Sequence, residues 1–195
     1  MKKIKTLFPL SVFCLAFGSL SAQAADLGLI TFDGAVSDTT CEITTNNGIA
    51  ANNVTISMPV VTKAAVDVTT RAAGGVGAKE FELMLNDCAE SVKKASVSFS
   101  SQQFAELSSG TLKPDATVSG SAQNVSVALY NNTATNVSQV LIGDPTDVAQ
   151  SVALVEGRGV FAYKAAYVPS ADWSATNSVQ SGKVNTNVTF TMNYE

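Results

Sequence analysis

The sequence predicts an all-β sandwich, and three observations carry that expectation. Apolar residues recur with a period of two along most of the chain, turn-forming residues punctuate the alternating runs, and helix-forming stretches are sparse. Phe81, Leu83 and Leu85 alternate with Glu82, Met84 and Asn86, and Val97 and Phe99 alternate with serines. Val125, Val127 and Leu129 alternate with Ser126, Ala128 and Tyr130. Phe161, Tyr163 and Ala165 share one side of a further run, and Val184, Val188, Phe190, Met192 and Tyr194 share one parity at the C-terminal end. Successive side chains of a strand point to opposite faces, so each run offers one apolar face to a core. Between them lie Asn46-Asn47-Gly48, Gly74-Gly75-Val76-Gly77, Ser108-Ser109-Gly110 and Asp144-Pro145, which are turn and loop chemistry. The segment from Val60 to Arg71, with Ala64, Ala65 and Val66, is expected to hold at most a short helical turn, because β-branched residues lose side-chain freedom in a helix. Many short alternating strands with turns between them point to a sandwich. No linker, internal repeat or low-complexity tract divides the chain.

The N-terminus has a separate character. Lys2, Lys3 and Lys5 precede an apolar run from Leu7 to Leu20, followed by Ala22-Gln23-Ala24. A positive start, a short apolar middle and an A-x-A site make a secretory signal peptide over residues 1–24, with the mature chain starting at Ala25. Pro9, Ser11, Gly18 and Ser19 interrupt the run, which is too short for the roughly 20 apolar residues of a membrane span. The mature protein is therefore expected outside the cytoplasm.

Composition narrows the chemistry. The full chain has a net charge of −4, and losing the three leader lysines makes the mature chain more acidic still. Phosphate contacts need clustered Lys and Arg, so nucleic acid is not an expected partner. The chain has no histidine, which removes Ser-His-Asp and Cys-His catalysis. Asp33, Asp38, Glu80, Glu82 and Asp87 are the acidic residues near strands, and solvated strand faces explain them better than a catalytic carboxylate pair. Gly75-x-Gly77-x-Lys79 lacks the spacing of a phosphate-binding loop. Cys41 and Cys88 remain after processing, and in an oxidising compartment they most simply pair with each other. Two thiolates without histidine rarely complete a zinc shell, so no metal or cofactor is expected. Trp173 with Tyr167 and Tyr163 is a candidate aromatic platform for sugar, set against the commoner role of such residues in core packing.

The two ends of the mature chain are the informative part. Near the start, Ile30, Phe32, Gly34 and Val36 fall on one face of an extended strand. Gly34 interrupts the apolar row, and a glycine inside a strand often marks close approach of another backbone. At the other end, the last alternating strand runs almost to Glu195. A strand in that position can leave a free apolar edge, and a strand added from another chain is one remedy.

At these residues the sequence resembles the chaperone–usher pilins of the type 1 fimbrial protein family. Phe32-x-Gly34-x-Val36 followed by Cys41 is similar to that family's donor segment and first cysteine. Phe81-x-Leu83-x-Leu85-x-x-Cys88 looks like its central strand and second cysteine, and Gly182 upstream of a penultimate Tyr194 looks like its C-terminal chaperone-recognition strand. The resemblance covers essentially the whole mature chain. It implies an incomplete immunoglobulin-like β-sandwich over residues 41–195, completed by a donor strand from the neighbouring subunit, with residues 25–40 as the chain's own donor extension. Ile30, Phe32, Gly34 and Val36 would fill a neighbour's groove. Gly182, Val184, Val188, Phe190, Met192 and Tyr194 would belong to the strand bordering the receiving groove. The implied partners are other pilin subunits in a head-to-tail polymer, a periplasmic chaperone, an outer-membrane usher and, through the assembled fibre, host-surface receptors. The implied product is a surface fimbria supporting adhesion, with a minor tip or adaptor subunit that binds carbohydrate or receptor as the alternative. One departure is the short stretch Ala25–Thr31 ahead of Phe32, which looks more like the compact extensions of minor subunits than those of some major rod subunits.

Overall fold

The computed structural model describes residues 41–45, 48, 50 and 54–195. The expected leader, the donor residues Ile30, Phe32, Gly34 and Val36, and the acidic residues Asp33 and Asp38 lie outside the described residues.

Within that span the chain builds β1 (Glu42–Thr45), α1 (Lys63–Asp67), β2 (Val76–Asn86), β3 (Lys94–Ser100), β4 (Ala105–Glu106) and β5 (Thr111–Leu112). It continues through β6 (Val125–Asn131), β7 (Gln139–Val140), β8 (Gln150–Ala153), β9 (Gly159–Pro169) and β10 (Thr189–Tyr194). The larger sheet has the order β1-β2-β9-β6-β5-β4, with β7 also pairing β6, and the smaller has the order β10-β3-β8. All described strand pairs are antiparallel. The two eleven-residue strands β2 and β9 form the spine of the larger sheet, in unbroken register from Lys79↔Ala165 to Leu85↔Gly159.

The alternation seen in the sequence becomes the core. Leu83 and Leu85 of β2, Val97 and Phe99 of β3, Val127 and Leu129 of β6, and Phe161 and Tyr163 of β9 join one buried cluster fed by both sheets. Phe99 meets Tyr163 edge-on at 5.0 Å between ring centroids, and Phe81 stacks on the same ring at 5.7 Å. The members of β6 that sequence reading places opposite the core, Ser126, Ala128 and Tyr130, are buried as well, Ala128 and Tyr130 with Ala166 and Val168 of β9 in a second small cluster.

Local chemistry fixes the connections. The ladder shifts between Val76 and Lys79, where Gly77 has φ +65° and a Cβ would stand 2.5 Å from Val61. Only glycine meets both demands without strain, and the bulge follows. The expected helical turn is α1, five residues long, and Thr62 caps it by accepting a hydrogen bond from Ala65 N at 3.3 Å. Its one buried residue, Val66, ties it to the core, which supplies what its weak helix propensity does not. Cys41 and Cys88 are joined as a disulfide, linking the residue before β1 to the turn after β2. Since β1 pairs with β2 from Glu42↔Asn86 to Thr45↔Leu83, the bond closes the open end of that hairpin-like pair.

Candidate functional site

The C-terminal strand sits at an edge. Among the described residues β10 pairs only with β3, through Phe190↔Phe99, Met192↔Val97 and Tyr194↔Ala95. Alternation holds from well before the strand begins. Val184, Thr186, Val188, Phe190 and Met192 are half-buried, while Asn185, Asn187, Thr189, Thr191 and Asn193 are exposed. The apolar members of this row pack against the main core without sealing it. On the adjoining strand of the same sheet, Ala95, Val97 and Phe99 are 0%, 1% and 6% exposed. The deficit of cover therefore lies along the β10 edge.

A second segment shows the same deficit. In residues 54–58, Val54, Ile56 and Met58 are half-buried and alternate with exposed Thr55 and Ser57. Val54, Met58 and Val61 pack against the same main core as β10. Yet residues 54–58 belong to no ladder among the described residues. A half-buried, alternating segment without a ladder leaves backbone donors and acceptors for another strand to satisfy.

The structure places the remaining residues singled out in the sequence. Tyr194 faces solvent at 39% exposed and closes the strand rather than its inward row. Beyond it, Glu195 O accepts from Lys93 N and Lys94 N, and Glu195 N donates to Lys94 O, so the end of β10 is held by main-chain bonds. Gly182 and Val184 precede β10. Gly182 lies where two backbones cross, and a Cβ there would stand 2.5 Å from both Ala122 N and Gly120 O. Lys183 N donates to Gly120 O and Lys183 O accepts from Ala122 N, so this contact locks the approach to β10 against the 120–122 turn.

The aromatic platform does not form. Tyr163 and Tyr167 are 1% and 8% exposed, and burial pushes the hydroxyls of both upward in pKa. Trp173 donates from Nε1 to Asp67 Oδ1 at 2.8 Å, and Val179 N donates to the same oxygen at 2.9 Å. These two bonds, the backbone one first, hold Asp67 below the usual carboxylate range. Of the acidic candidates, Glu80 and Glu82 project from β2 on the side opposite Leu83 and Leu85, and Asp87 sits in the turn after β2 with φ +51°. They form no paired catalytic arrangement among the described residues.

Sequence reading passed over one polar centre. Glu106 is 4% exposed and accepts from Ser109 Oγ at 2.8 Å, Thr111 Oγ1 at 2.9 Å and Ala171 N at 3.1 Å. Lys113 Nζ stands 3.7 Å from its other oxygen. Burial alone pushes its carboxyl up, but the bonds from Ser109, Thr111 and Ala171 and the charge of Lys113 outweigh burial and hold it below its ordinary value. Ser126 Oγ of β6 also donates to it, at 3.3 Å, so Glu106 pins β4, β5, β6 and the turn after β9 to one another. The spacing Glu106-x-x-Ser109-x-Thr111 was the available signal, though nothing in it separates a buried carboxylate from a loop acid.

Known proteins of similar sequence and fold bear on this edge. The model of the family described as Fimbrial protein matches residues 30–195. The "Probable major fimbrial subunit LpfA" of Escherichia coli O157:H7 is 31% identical over all of this chain and 98% of its own length. The F17 fimbrial protein of Escherichia coli is 30% identical over 93% of this chain and 94% of its own. Two solved structures share the fold. A chaperone–usher pilus described for its rod uncoiling covers 89% of this chain and 99% of its own at 16% identity and a TM-score of 0.56. The P pilus rod subunit PapA covers 80% and 100% at 14% identity and the same TM-score of 0.56. An immunoglobulin-like sandwich with an unfinished edge, a match over residues 30–195 and full-length relatives that build fimbriae lead to one conclusion: the chain belongs to the fimbrial protein family, as an exported structural subunit of surface fimbriae and not an enzyme.

Proposed function

We propose that this subunit polymerises by donor-strand exchange and repeats along the shaft of a chaperone–usher fimbria. The observation that carries the reading is the half-covered inward row from Val184 into the edge strand β10 at Met192, beside the buried inward row of β3. In this reading a neighbour's Ile30, Phe32, Gly34 and Val36 cover that row, between β10 and residues 54–58. Each Ile, Phe or Val buried on docking contributes roughly 1.5–3 kcal/mol from apolar surface removed from water, so the donor supplies several kcal/mol before its main-chain hydrogen bonds. A periplasmic chaperone would hold the same edge before assembly, and an outer-membrane usher would be where the next subunit replaces it. Each link is head-to-tail and does not close on itself, which generates a filament. The shaft position is supported by similarity over nearly the full length to a relative named as a major subunit. Adhesion would then be a property of the assembled fibre.

Deleting residues 25–36 tests the reading. The truncated subunit should accept a synthetic peptide of residues 25–40 yet form no fibres, as seen by electron microscopy of secreted material. Normal fibres from the truncated chain would overturn it. Immunogold labelling of wild-type fibres separates the ranks: gold along the whole filament supports the shaft position, and gold confined to the tip or base assigns a minor subunit instead.

A further inference from the structure

The face of the larger sheet turned away from the core carries a feature that strand exchange does not use. Over the outer side of β6 and β9, the loop after α1, β7 and the turn after β9 surround an open cleft of about 870 Å³. Small-ligand sites commonly fall between roughly 300 and 1,000 Å³. Arg71, Tyr130, Lys164, Ser170 and Trp173 are among its lining residues.

These groups are held in place. Tyr130 OH donates to Arg71 O at 2.8 Å, which fixes the loop carrying Arg71 to the sheet. Lys164 Nζ stands 5.4 Å from the centroid of the Tyr130 ring, a cation–π placement. Trp173 is oriented by its bond to Asp67. Among the described residues neither Arg71 nor Lys164 is in ion-pair contact with a carboxylate, including Glu80, which lies opposite Lys164 across β2 and β9. Arg71 and Lys164 place two cations on one cleft, where they attract anions.

We propose that this cleft binds a carboxylated saccharide. Arg71 and Lys164 take the carboxylate, and the flank of Trp173 packs on the apolar face of the sugar. A bare inorganic anion would engage the two cations and leave the indole without a role. The cleft lies over the outer side of β6 and β9, in the other sheet from the β10 edge.

The test is calorimetric titration of intact, purified fimbriae with 3′-sialyllactose and with neutral lactose. Sialyllactose should bind at least about tenfold more tightly than lactose. Lys164→Gln and Arg71→Gln fimbriae should each lose about tenfold in affinity, the scale of a lost hydrogen bond to a charged group. Lys164→Arg, which keeps the charge, should retain affinity within about threefold. Electron microscopy of each variant separates failed assembly from failed binding. No binding, equal binding of both sugars or unchanged affinity in both Gln variants overturns the proposal. So does a Lys164→Arg loss as large as that of Lys164→Gln, because it would mean the lysine serves only to pack on Tyr130.

Discussion

Strands β6 and β10 carry the same alternating pattern, yet every residue of β6 is buried and none of β10 is. The difference lies in their neighbours. β6 is flanked by β9 on one side and by β5 and β7 on the other, and its outer residues Ala128 and Tyr130 are covered as well. β10 has one described neighbour, and its inward row is half covered. Alternation states which way a side chain faces, while the sheet order decides whether that face is finished. A subunit that keeps a finished centre beside an unfinished edge has a rigid body and a place for a second chain to add cover.

The sharpest way to break this contrast is to remove one aromatic ring from each region. Phe161 is 0% exposed at the centre of β9, and Phe161→Ala should cost about 3–5 kcal/mol by denaturant unfolding, in line with large-to-small substitutions in a packed core. Phe190 lies half-buried on β10, so Phe190→Ala should cost clearly less in the strand-free subunit. Adding a peptide of residues 25–40 should raise the cost of Phe190→Ala toward that of Phe161→Ala and leave the Phe161→Ala value unchanged. Equal costs in the strand-free subunit would mean that the β10 edge is already sealed.

The disulfide offers the next effect. It spans a sequence separation of 47 residues and closes the β1–β2 end. Cys41→Ser should destabilise the subunit by about 2–4 kcal/mol, the range for a cross-link over a long loop. The check is denaturant unfolding of wild type with and without reductant, alongside the variant. Reduced wild type should match Cys41→Ser. A midpoint that ignores reductant would assign the fold's integrity to packing alone.

How much of this was legible in the sequence follows the same division. Phe81, Leu83, Leu85, Val97, Phe99, Val127 and Phe161 show their facing directly, because a period of two is a property of local backbone geometry. Cys41 and Cys88 were readable because two cysteines left in an exported chain have one simple partner each. The burial of Ala128 and Tyr130 on the outer face was not readable, since it depends on loops from distant parts of the chain closing over the sheet. Tyr163 and Tyr167 looked like sugar-platform candidates by residue type alone, and only the sheet register shows that both are core residues. Gly182 matched a family spacing, while its steric cause, the crossing with residues 120–122, is a tertiary contact. The residue pattern of the candidate edge, Val184 to Met192, was plain from the sequence, but its half-covered state needed the structure.

Glu106 provides the smallest and most specific effect, within the finished region. Its carboxyl lies below its ordinary value in the folded subunit, so the unfolded chain binds its proton more readily. The stabilisation is therefore complete above the ordinary glutamate value of 4.5 and is lost as pH falls below it, through the lowered folded value. Glu106→Gln keeps the shape but weakens the bonds from Ser109, Thr111 and Ala171 and leaves Lys113 without its charge partner, and should cost about 1–3 kcal/mol at neutral pH. The variant should also show a shallower fall in stability between neutral pH and the acid range, read from thermal unfolding across a pH series. Because β10 contributes nothing to this network, the strand-complemented and strand-free subunits should show the same difference between wild type and variant. A difference that grows on complementation would couple the Glu106 centre to the unfinished edge and blur the separation of the two regions.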